Sequence, residues 1–163
     1  MTSSDRPAAP TDPSPSGTSE PAGIDPRGPR VGAGITAALL AVVVLLGPGT
    51  EALALLAVVA LSFLPGALLG THATWQGWLF RTLVRARLGA PEHLEDPRPP
   101  QFAQLVGLLV TAAGVALGLA GVPGAVPWAA GVAFLAAALN ATVGLCLGCE
   151  LYLLGRRFRG VRV

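Results

Sequence analysis

The residues best suited to chemistry in this chain are its two cysteines. Cys146 and Cys149 lie three positions apart, and Glu150 follows them directly. Two thiols at this spacing can form a disulfide, carry a persulfide or bind a metal ion as thiolates. An ionisable neighbour strengthens a functional interpretation where the surroundings are apolar. The pattern predicts a candidate redox or sulfur-relay site at these three residues.

Two other interpretations of the cysteine pair stay open at this point. Cys146 and Cys149 could bind a soft ion such as Cu(I) or Zn(II), which prefers thiolates. Tetrahedral zinc needs about two further ligands, and the candidates are His72, His93 and Glu150 unless a homodimer supplies a second pair. The pair could also fill a helix interface as small polarizable side chains. No resident cofactor is expected outside the metal interpretation, and the residues leave enzyme activity undecided.

Composition indicates a membrane protein. Hydrophobic residues make up 52% of the 163 residues and charged residues 12%, whereas soluble domains carry about one quarter charged residues. The apolar excess lies in four stretches. Each is close in length to the ~20 residues that a helix needs to cross a bilayer. Backbone groups in lipid must find partners within the chain, which favours helices over strands. The predicted membrane helices are Val31–Gly47, Ala52–Gly70, Phe102–Gly121 and Ala125–Cys149.

The fourth stretch is the element expected to position the cysteines. On a continuous helix, Cys146 and Cys149 share a face near the C-terminal end, with Cβ atoms about 5 to 6 Å apart. A disulfide needs about 3.8 Å, so oxidation requires local unwinding, which Gly144 and Gly148 permit. The dipole at a helix C-terminus disfavours a thiolate, and so does the adjacent Glu150. We therefore expect a slowly reacting thiol pair.

Arginines set the expected orientation in the membrane. All eleven cationic residues are arginines, and none lies in the short connections 48–51 and 122–127. Because cytoplasmic flanks accumulate positive charge, both termini and the central loop are predicted to be cytoplasmic, in the plasma membrane. A cytoplasmic thioredoxin-like or rhodanese-like protein could then reach the cysteines. A net charge of +2 without lysine gives no surface for nucleic acid.

An internal repeat organises the chain after residue 23. The segment that begins at Asp25 is echoed 71 residues later from Asp96, and each copy introduces two apolar helices. We predict an all-α, four-helix transmembrane bundle of two parallel hairpins, about 25–70 and 96–154, within a domain 24–163. Residues 1–23 lack aliphatic periodicity and are predicted to be a disordered cytoplasmic tail. Between the hairpins, Trp75–Leu88 is predicted to be an interfacial amphipathic helix with Trp75, Leu79, Phe80, Leu83 and Val84 on one side and Arg81 and Arg85 opposite.

Three further residues are candidates with weaker signals. Arg27 and Arg98 follow Asp-Pro in the two repeat copies, where the aspartates can cap helices and the arginines can lie among lipid headgroups. A second interpretation makes the two arginines a cationic rim at the cytoplasmic mouth. Asn140 lies inside an apolar segment, and we expect it to form an interhelical hydrogen bond.

Two segments carry a resemblance to a known family. They are Asp96-Pro97-Arg98-Pro99-Pro100-Gln101-Phe102-Ala103-Gln104, and the stretch from Asn140 through Cys146-Leu147-Gly148-Cys149-Glu150-Leu151-Tyr152. The chain resembles the small actinobacterial membrane proteins of domain-of-unknown-function family 4395 from about residue 25 to 157. The resemblance implies a four-helix integral membrane protein and supplies no established activity.

Overall fold

A computed structural model describes residues 23–89, 91, 93–158 and 160 of the chain. The predicted tail 1–23 lies outside these residues, apart from Gly23. The described part is all-α, as expected, with four helices long and apolar enough to cross a membrane. These helices are α1 (Arg27–Leu46), α2 (Thr50–Leu69), α5 (Arg98–Leu119) and α6 (Ala125–Val143).

Shorter helices follow each pair of long ones. After α2 comes a single 3-10 turn and then α3 (Trp75–Leu79), a π-helical turn (Phe80–Val84) and α4 (Arg85–Leu88). After α6 comes α7 (Leu147–Phe158). The fourth predicted segment is therefore two helices, and the expectation of a continuous helix through Cys149 is wrong. Gly144 ends α6 in a left-handed conformation with φ +75°, which directs the chain away from the helix axis.

Helix packing repeats with the same offset as the sequence. The most extensive contacts join α1 to α6 and α2 to α5, and these two pairs are equivalent at an offset of 71 residues. The residues before α1 and α5 pair directly, because Ile24 and Glu95 exchange backbone hydrogen bonds of 2.9 and 3.0 Å. The starts of the two repeat copies thus lie side by side at one end of the bundle.

Aspartates begin both repeat copies as the sequence predicts. An Asp25 Oδ1 atom accepts from the backbone N–H of Arg27 at 3.0 Å, and Asp96 Oδ1 accepts from that of Arg98 at 2.9 Å. Each bond satisfies one of the backbone N–H groups that are left without a partner at the start of its helix. Since the helices begin at the arginines, α1 and α5 start about one turn earlier than their apolar segments.

The tightly packed core lies in the opposite half of the bundle. It fills the space beside the short connections, where aliphatic side chains on α1, α2 and α6 interlock and exclude solvent. Helix approach is close there, since a Cβ atom at Gly118 would lie 2.7 Å from Cγ2 of Val126. The buried members are Leu40, Val43, Ala52, Leu56, Val59, Val126, Ala130 and Ala133.

The helix between the hairpins turns a different face inward from the one expected. Gln76 and Phe80 are buried, whereas Trp75 and Trp78 are 44% and 59% exposed. The inward face follows from α1, whose glycines leave room for these two side chains: a Cβ atom at Gly28 would lie 3.3 Å from Cδ1 of Phe80. The outward tryptophans suit a bilayer interface, where such rings are enriched.

Candidate functional site

Cys146 lies directly before helix α7 and caps it. The backbone carbonyl of Cys146 accepts the first bond of this helix from the N–H of Glu150 at 3.0 Å. Its sulfur accepts from the N–H of Cys149 at 3.3 Å, as an N-cap side chain does with the amide three residues ahead. The cysteine pair therefore occupies a helix start, because the chain turns at Gly144 and begins a new helix three residues later, at Leu147.

The two cysteines form a disulfide. Their Cα atoms are 5.2 Å apart, within the usual range for a bridged pair, and the described part of the chain holds no free cysteine. The expected unwinding is present, and it lies ahead of Cys146 at Gly144 and Leu145. Both cysteines are partly exposed.

The helix start reverses the electrostatics expected from the sequence. The N-terminus of α7 carries partial positive charge and unbonded N–H groups, which stabilise an anion. After reduction these groups favour a thiolate at Cys146 rather than opposing it. The expected position at a helix C-terminus is wrong, so the dipole no longer gives a reason to expect a slowly reacting pair. Glu150 lies exposed on the first turn of α7, where its negative charge interacts favourably with the same dipole.

Gly148, inside the cysteine motif, lets α7 lie close to α5. A Cβ atom at this position would lie 2.6 Å from both Cα and Cβ of Ala103. Real Cβ atoms do not approach a backbone carbon so closely, so any larger side chain would displace α7. The aromatic rings of Phe102 and Tyr152 also meet across these helices, with centroids 5.7 Å apart. Packing on α5 fixes the position of the disulfide.

Arg30 is a residue near the site that the sequence interpretation did not single out. Its guanidinium group lies against Gly144, since a Cβ atom there would be 2.7 Å from Cζ of Arg30. A cation at the end of α6 interacts favourably with the carbonyl groups exposed there. The repeat could have identified Arg30, because at the 71-residue offset Arg30 corresponds to Gln101, which also lies near the end of a long helix. That side chain donates from Nε2 to the carbonyl of Ala67 at 3.1 Å, near the end of α2.

A cavity of about 530 Å³ adjoins the disulfide, and we call it the chamber. Four membrane-length helices surround it, and α3 and α7 border it at the arginine-rich end. Small residues on α1 and α6 leave this space open, whereas larger aliphatic side chains fill the other half of the bundle. Its wall includes Gly32, Thr36, Gln76, Gln104, Asn140 and Cys146.

Most polar groups in the chamber wall are uncharged, and the charged ones include Asp25, whose Oδ2 atom is buried with no hydrogen-bond partner among the described residues. Gln76 is 6% exposed, and its Oε1 atom has no hydrogen-bond partner among the described residues. Asn140 lines the same space, and within the described part of the chain its side chain forms no hydrogen bond, so the expected interhelical bond is not seen. Arg81 and Arg85, which the sequence placed on the solvent side, also line the chamber.

The structure brings together only some of the predicted site residues. Cys146 and Asn140 both line the chamber. Arg27 does not line it, and instead donates from Nη1 to the carbonyl of Leu88 at 3.3 Å. Arg98 is exposed beside a shallow depression that also borders Phe102 and Tyr152. The two arginines of the proposed rim thus lie apart from the chamber.

The metal interpretation gains no further ligand from the fold. Across residues 23–89, 91, 93–158 and 160, no three His, Cys, Asp or Glu side chains come close enough to hold an ion together. His72 and His93 are both exposed. Within this part of the chain, Cys146 and Cys149 would supply two ligands, and a metal would need others from a second subunit.

These features define the class of the molecule as a helical protein with four membrane-length helices and a disulfide at the start of a short helix. The chain belongs to a family described as domain of unknown function (DUF4395), whose model matches residues 24–157. Comparison with curated proteins finds no match, and comparison with solved structures finds none either. The family result confirms the predicted membership.

Proposed function

We propose that this protein is a multi-pass plasma-membrane thiol protein. Cys146 and Cys149 would exchange electrons or sulfane sulfur with a thioredoxin-like or rhodanese-like protein on the cytoplasmic side. The observation that carries the proposal is the disulfide at the N-terminus of α7, partly exposed and held at the cap position. A bond placed there is accessible to a soluble thiol, and the thiolate released on reduction is stabilised by the helix.

The cytoplasmic orientation is also part of this proposal. The paired residues Ile24 and Glu95 lie just ahead of arginine-bearing helix starts, and Arg30 lies beside the end of α6. The basic flanks of the long helices therefore gather at one end of the bundle. Positive flanks favour the cytoplasm, so the disulfide would face the cell interior. Labelling a cysteine introduced at Gly160 from outside intact cells would contradict this orientation.

Exchange with a dithiol partner would take place in two balanced steps. A thiolate of the partner attacks the Cys146 sulfur, forming a mixed disulfide and releasing the Cys149 thiolate, which takes a proton. The second thiol of the partner then attacks the mixed disulfide and releases Cys146 as a thiolate. Two electrons pass to the membrane protein, and the partner becomes the disulfide. The amide of Cys149 that bonds the Cys146 sulfur is already placed to stabilise the released thiolate.

The test uses full-length protein in detergent with thioredoxin, thioredoxin reductase and NADPH. We expect wild type to consume one NADPH per chain, since one disulfide takes two electrons. Cys146→Ser and Cys149→Ser should each consume none. Mass spectrometry with and without reductant separates a two-hydrogen change from a sulfur adduct, which would favour relay chemistry. If wild type and both serine variants behave alike, the proposal is wrong.

The soft-metal alternative has a separate readout. Elemental analysis of the purified protein would show stoichiometric copper or zinc only if the cysteines bind a metal, with a homodimer providing the remaining ligands. Wild type that contains metal and loses it in Cys146→Ser would replace the thiol proposal. The disulfide favours the thiol proposal, because a bridged pair has no thiolate available to bind an ion.

A further inference from the structure

The chamber has the properties of a small-molecule site. Its volume of about 530 Å³ falls within the range of roughly 300 to 1,000 Å³ that is typical of ligand sites. Such sites combine an apolar wall with a few placed polar groups. The chamber has amides and hydroxyls among glycines, alanines and aliphatic side chains, and its wall also includes Asp25, His72, Arg81 and Arg85. An occupant would be mainly apolar with a few oxygen or nitrogen atoms.

The chamber reaches from the disulfide into the level of the long helices. Thr36 lies nine residues into α1, and Val110 lies twelve residues into α5, so the cavity extends roughly 13 to 18 Å from the helix starts. Cys146 lines its other end. A molecule in the chamber could therefore lie beside Cys146.

Gln76 indicates what such a molecule must offer. An amide oxygen that is buried without a partner loses its hydrogen bonds to water and gains none in return. The Oε1 atom of Gln76 is buried with no partner among the described residues, and the side chain lines the chamber. A ligand hydroxyl could donate to this oxygen, and a ligand carbonyl could accept from an amide N–H of Gln76 or Asn140. The occupant should therefore present oxygen in either of these two forms.

We propose that the chamber binds a quinone from the bilayer, which accepts electrons from the reduced Cys146–Cys149 pair. The proposal rests on the thiol exchange proposed above and names the electron acceptor for the same site. A quinone is neutral and mostly apolar, which suits the chamber interior. It carries carbonyl groups when oxidised and hydroxyl groups when reduced, so both states suit the amides. Its capacity of two electrons also equals that of a dithiol.

The reaction balances in atoms and electrons. As the S–S bond forms, the two thiols lose two electrons and two protons. The quinone takes both electrons, and its two carbonyl oxygens take two protons to become the hydroxyls of a quinol. The quinol leaves for the bilayer, and a soluble dithiol reduces the disulfide again. Electrons would thus pass from cytoplasmic thiols to the membrane quinone pool.

The experiment follows decylubiquinone, whose ring is fully substituted and cannot be alkylated by thiols. Full-length protein in detergent is reduced, freed of reductant and mixed with the quinone, and loss of quinone absorbance is recorded. We expect wild type to convert one quinone per chain to quinol and to regain its disulfide. If wild-type protein consumes NADPH in the thioredoxin assay but forms no quinol, the quinone proposal alone is wrong. Absence of both reactions would overturn the thiol proposal as well.

A matched pair of variants locates the reaction in the chamber. Ala136→Phe fills the chamber, whereas Ala113→Phe adds the same side chain to an exposed position on α5 outside it. We expect Ala136→Phe to weaken quinone binding at least about tenfold, equivalent to ~1.4 kcal/mol, and Ala113→Phe to match wild type. Equal rates for both variants and wild type, or equal loss in both variants, would overturn the placement.

Gln76→Leu provides a second variant if Ala136→Phe does not fold. Leucine keeps a similar volume and removes a buried amide with an unpaired oxygen, so it should not destabilise the protein. The expected result is weaker quinone binding in a titration of the oxidised protein, where no electron transfer occurs. Unchanged binding in this variant would contradict the role assigned to the amide.

Discussion

Thr74 in the first half of the molecule and Cys146 in the second form the same kind of local cap, one position out of step with the 71-residue repeat. Each caps the short helix that follows a membrane-length helix. The Thr74 hydroxyl accepts from the N–H of Gly77 at 3.0 Å, and the Cys146 sulfur accepts from that of Cys149 at 3.3 Å. Both short helices therefore have a side-chain cap, which is a hydroxyl oxygen in the first half and a sulfur atom in the second. The cap chemistry differs, and so does the backbone before it, because a 3-10 turn precedes Thr74 whereas Gly144 and Leu145 precede Cys146.

The two short helices also contribute different surfaces to the chamber. In the first half, the buried side chains of Gln76 and Phe80 border it, and Trp75 and Trp78 face outward. In the second half, Gly148 brings α7 against α5 and leaves Cys146 at the chamber wall. In the quinone proposal the two helices would have separate roles, because one would supply a polar amide to the quinone and the other the cysteine pair.

The largest expected effect of a mutation concerns Gly148. Replacement by alanine would place a Cβ atom 2.6 Å from the backbone of Ala103, and the helix must move to relieve the overlap. Overpacking of this kind costs about 1–3 kcal/mol. We expect Gly148→Ala to lower the midpoint of thermal unfolding in detergent and to speed reduction of the disulfide.

Gly155 is the matched control for this change. It lies on the same helix with open space around its Cα, so alanine there meets nothing within 4 Å. Because alanine favours helix over glycine by about 0.5–1 kcal/mol, Gly155→Ala should leave the protein as stable or more so. Equal destabilisation by both changes would show that α7 does not depend on its contact with α5.

The next prediction concerns the reactivity of the sulfur cap. In Cys149→Ser, Cys146 is a free thiol at the N-terminus of α7, where the helix stabilises its thiolate. We expect it to react with iodoacetamide at neutral pH about tenfold faster than a cysteine without such stabilisation. The comparison thiol is Leu154→Cys in a protein lacking both native cysteines, because Leu154 is exposed near the other end of the same helix.

The result would test the electrostatic contrast directly. Equal alkylation rates for the two thiols would mean that the start of α7 does not activate Cys146. The quinone and thioredoxin reactions would then need another source of thiolate. A faster rate at Leu154→Cys would contradict the helix assignment itself, since that position lies toward the negative end of the dipole.

Sequence reasoning found the long helices because each requires about 20 apolar residues, a signal that hydropathy carries directly. It missed the helix break because Leu145 and Leu147 continue the apolar run across Gly144. Two signals were available. Glycine is the usual residue at a left-handed helix end. The 71-residue offset also lays the predicted helix Trp75–Leu88 over residues 146–159, so the repeat contained a second short helix.

The chamber could not have been predicted in the same way. Glycines and alanines in membrane segments indicate close helix approach, and they do produce it at Gly114 and Gly118. Near the disulfide the same residue types leave space open, because the surrounding helices do not close on them. Whether a small residue permits contact or leaves a cavity depends on four helices at once. Asn140 accordingly lines a cavity and not a hydrogen-bonded interface.

The cap in the first half should contribute less than the Gly148 contact. Thr74→Ala removes the hydroxyl that accepts from Gly77, and loss of such a cap costs typically ~1 kcal/mol. Thr74→Ser keeps the oxygen and should retain most of that stability. Thermal unfolding of both variants in one detergent would check the difference. Equal midpoints for the two variants would show that the hydroxyl bond does not stabilise this helix start.

The smallest expected effect concerns Arg30 and Gln101, which hold equivalent positions in the two halves. Arg30 lies at the end of α6 and Gln101 at the end of α2, so Arg30→Gln gives the second half the residue found in the first. Loss of a cation at a helix C-terminus costs about 0.3–1 kcal/mol at low salt. Arg98→Gln, at the exposed start of α5 and so away from any helix C-terminus, controls for the change in net charge. If Arg30 acts through the dipole, the difference between the two variants in unfolding midpoint should shrink as salt is added, whereas a packing role would leave it constant.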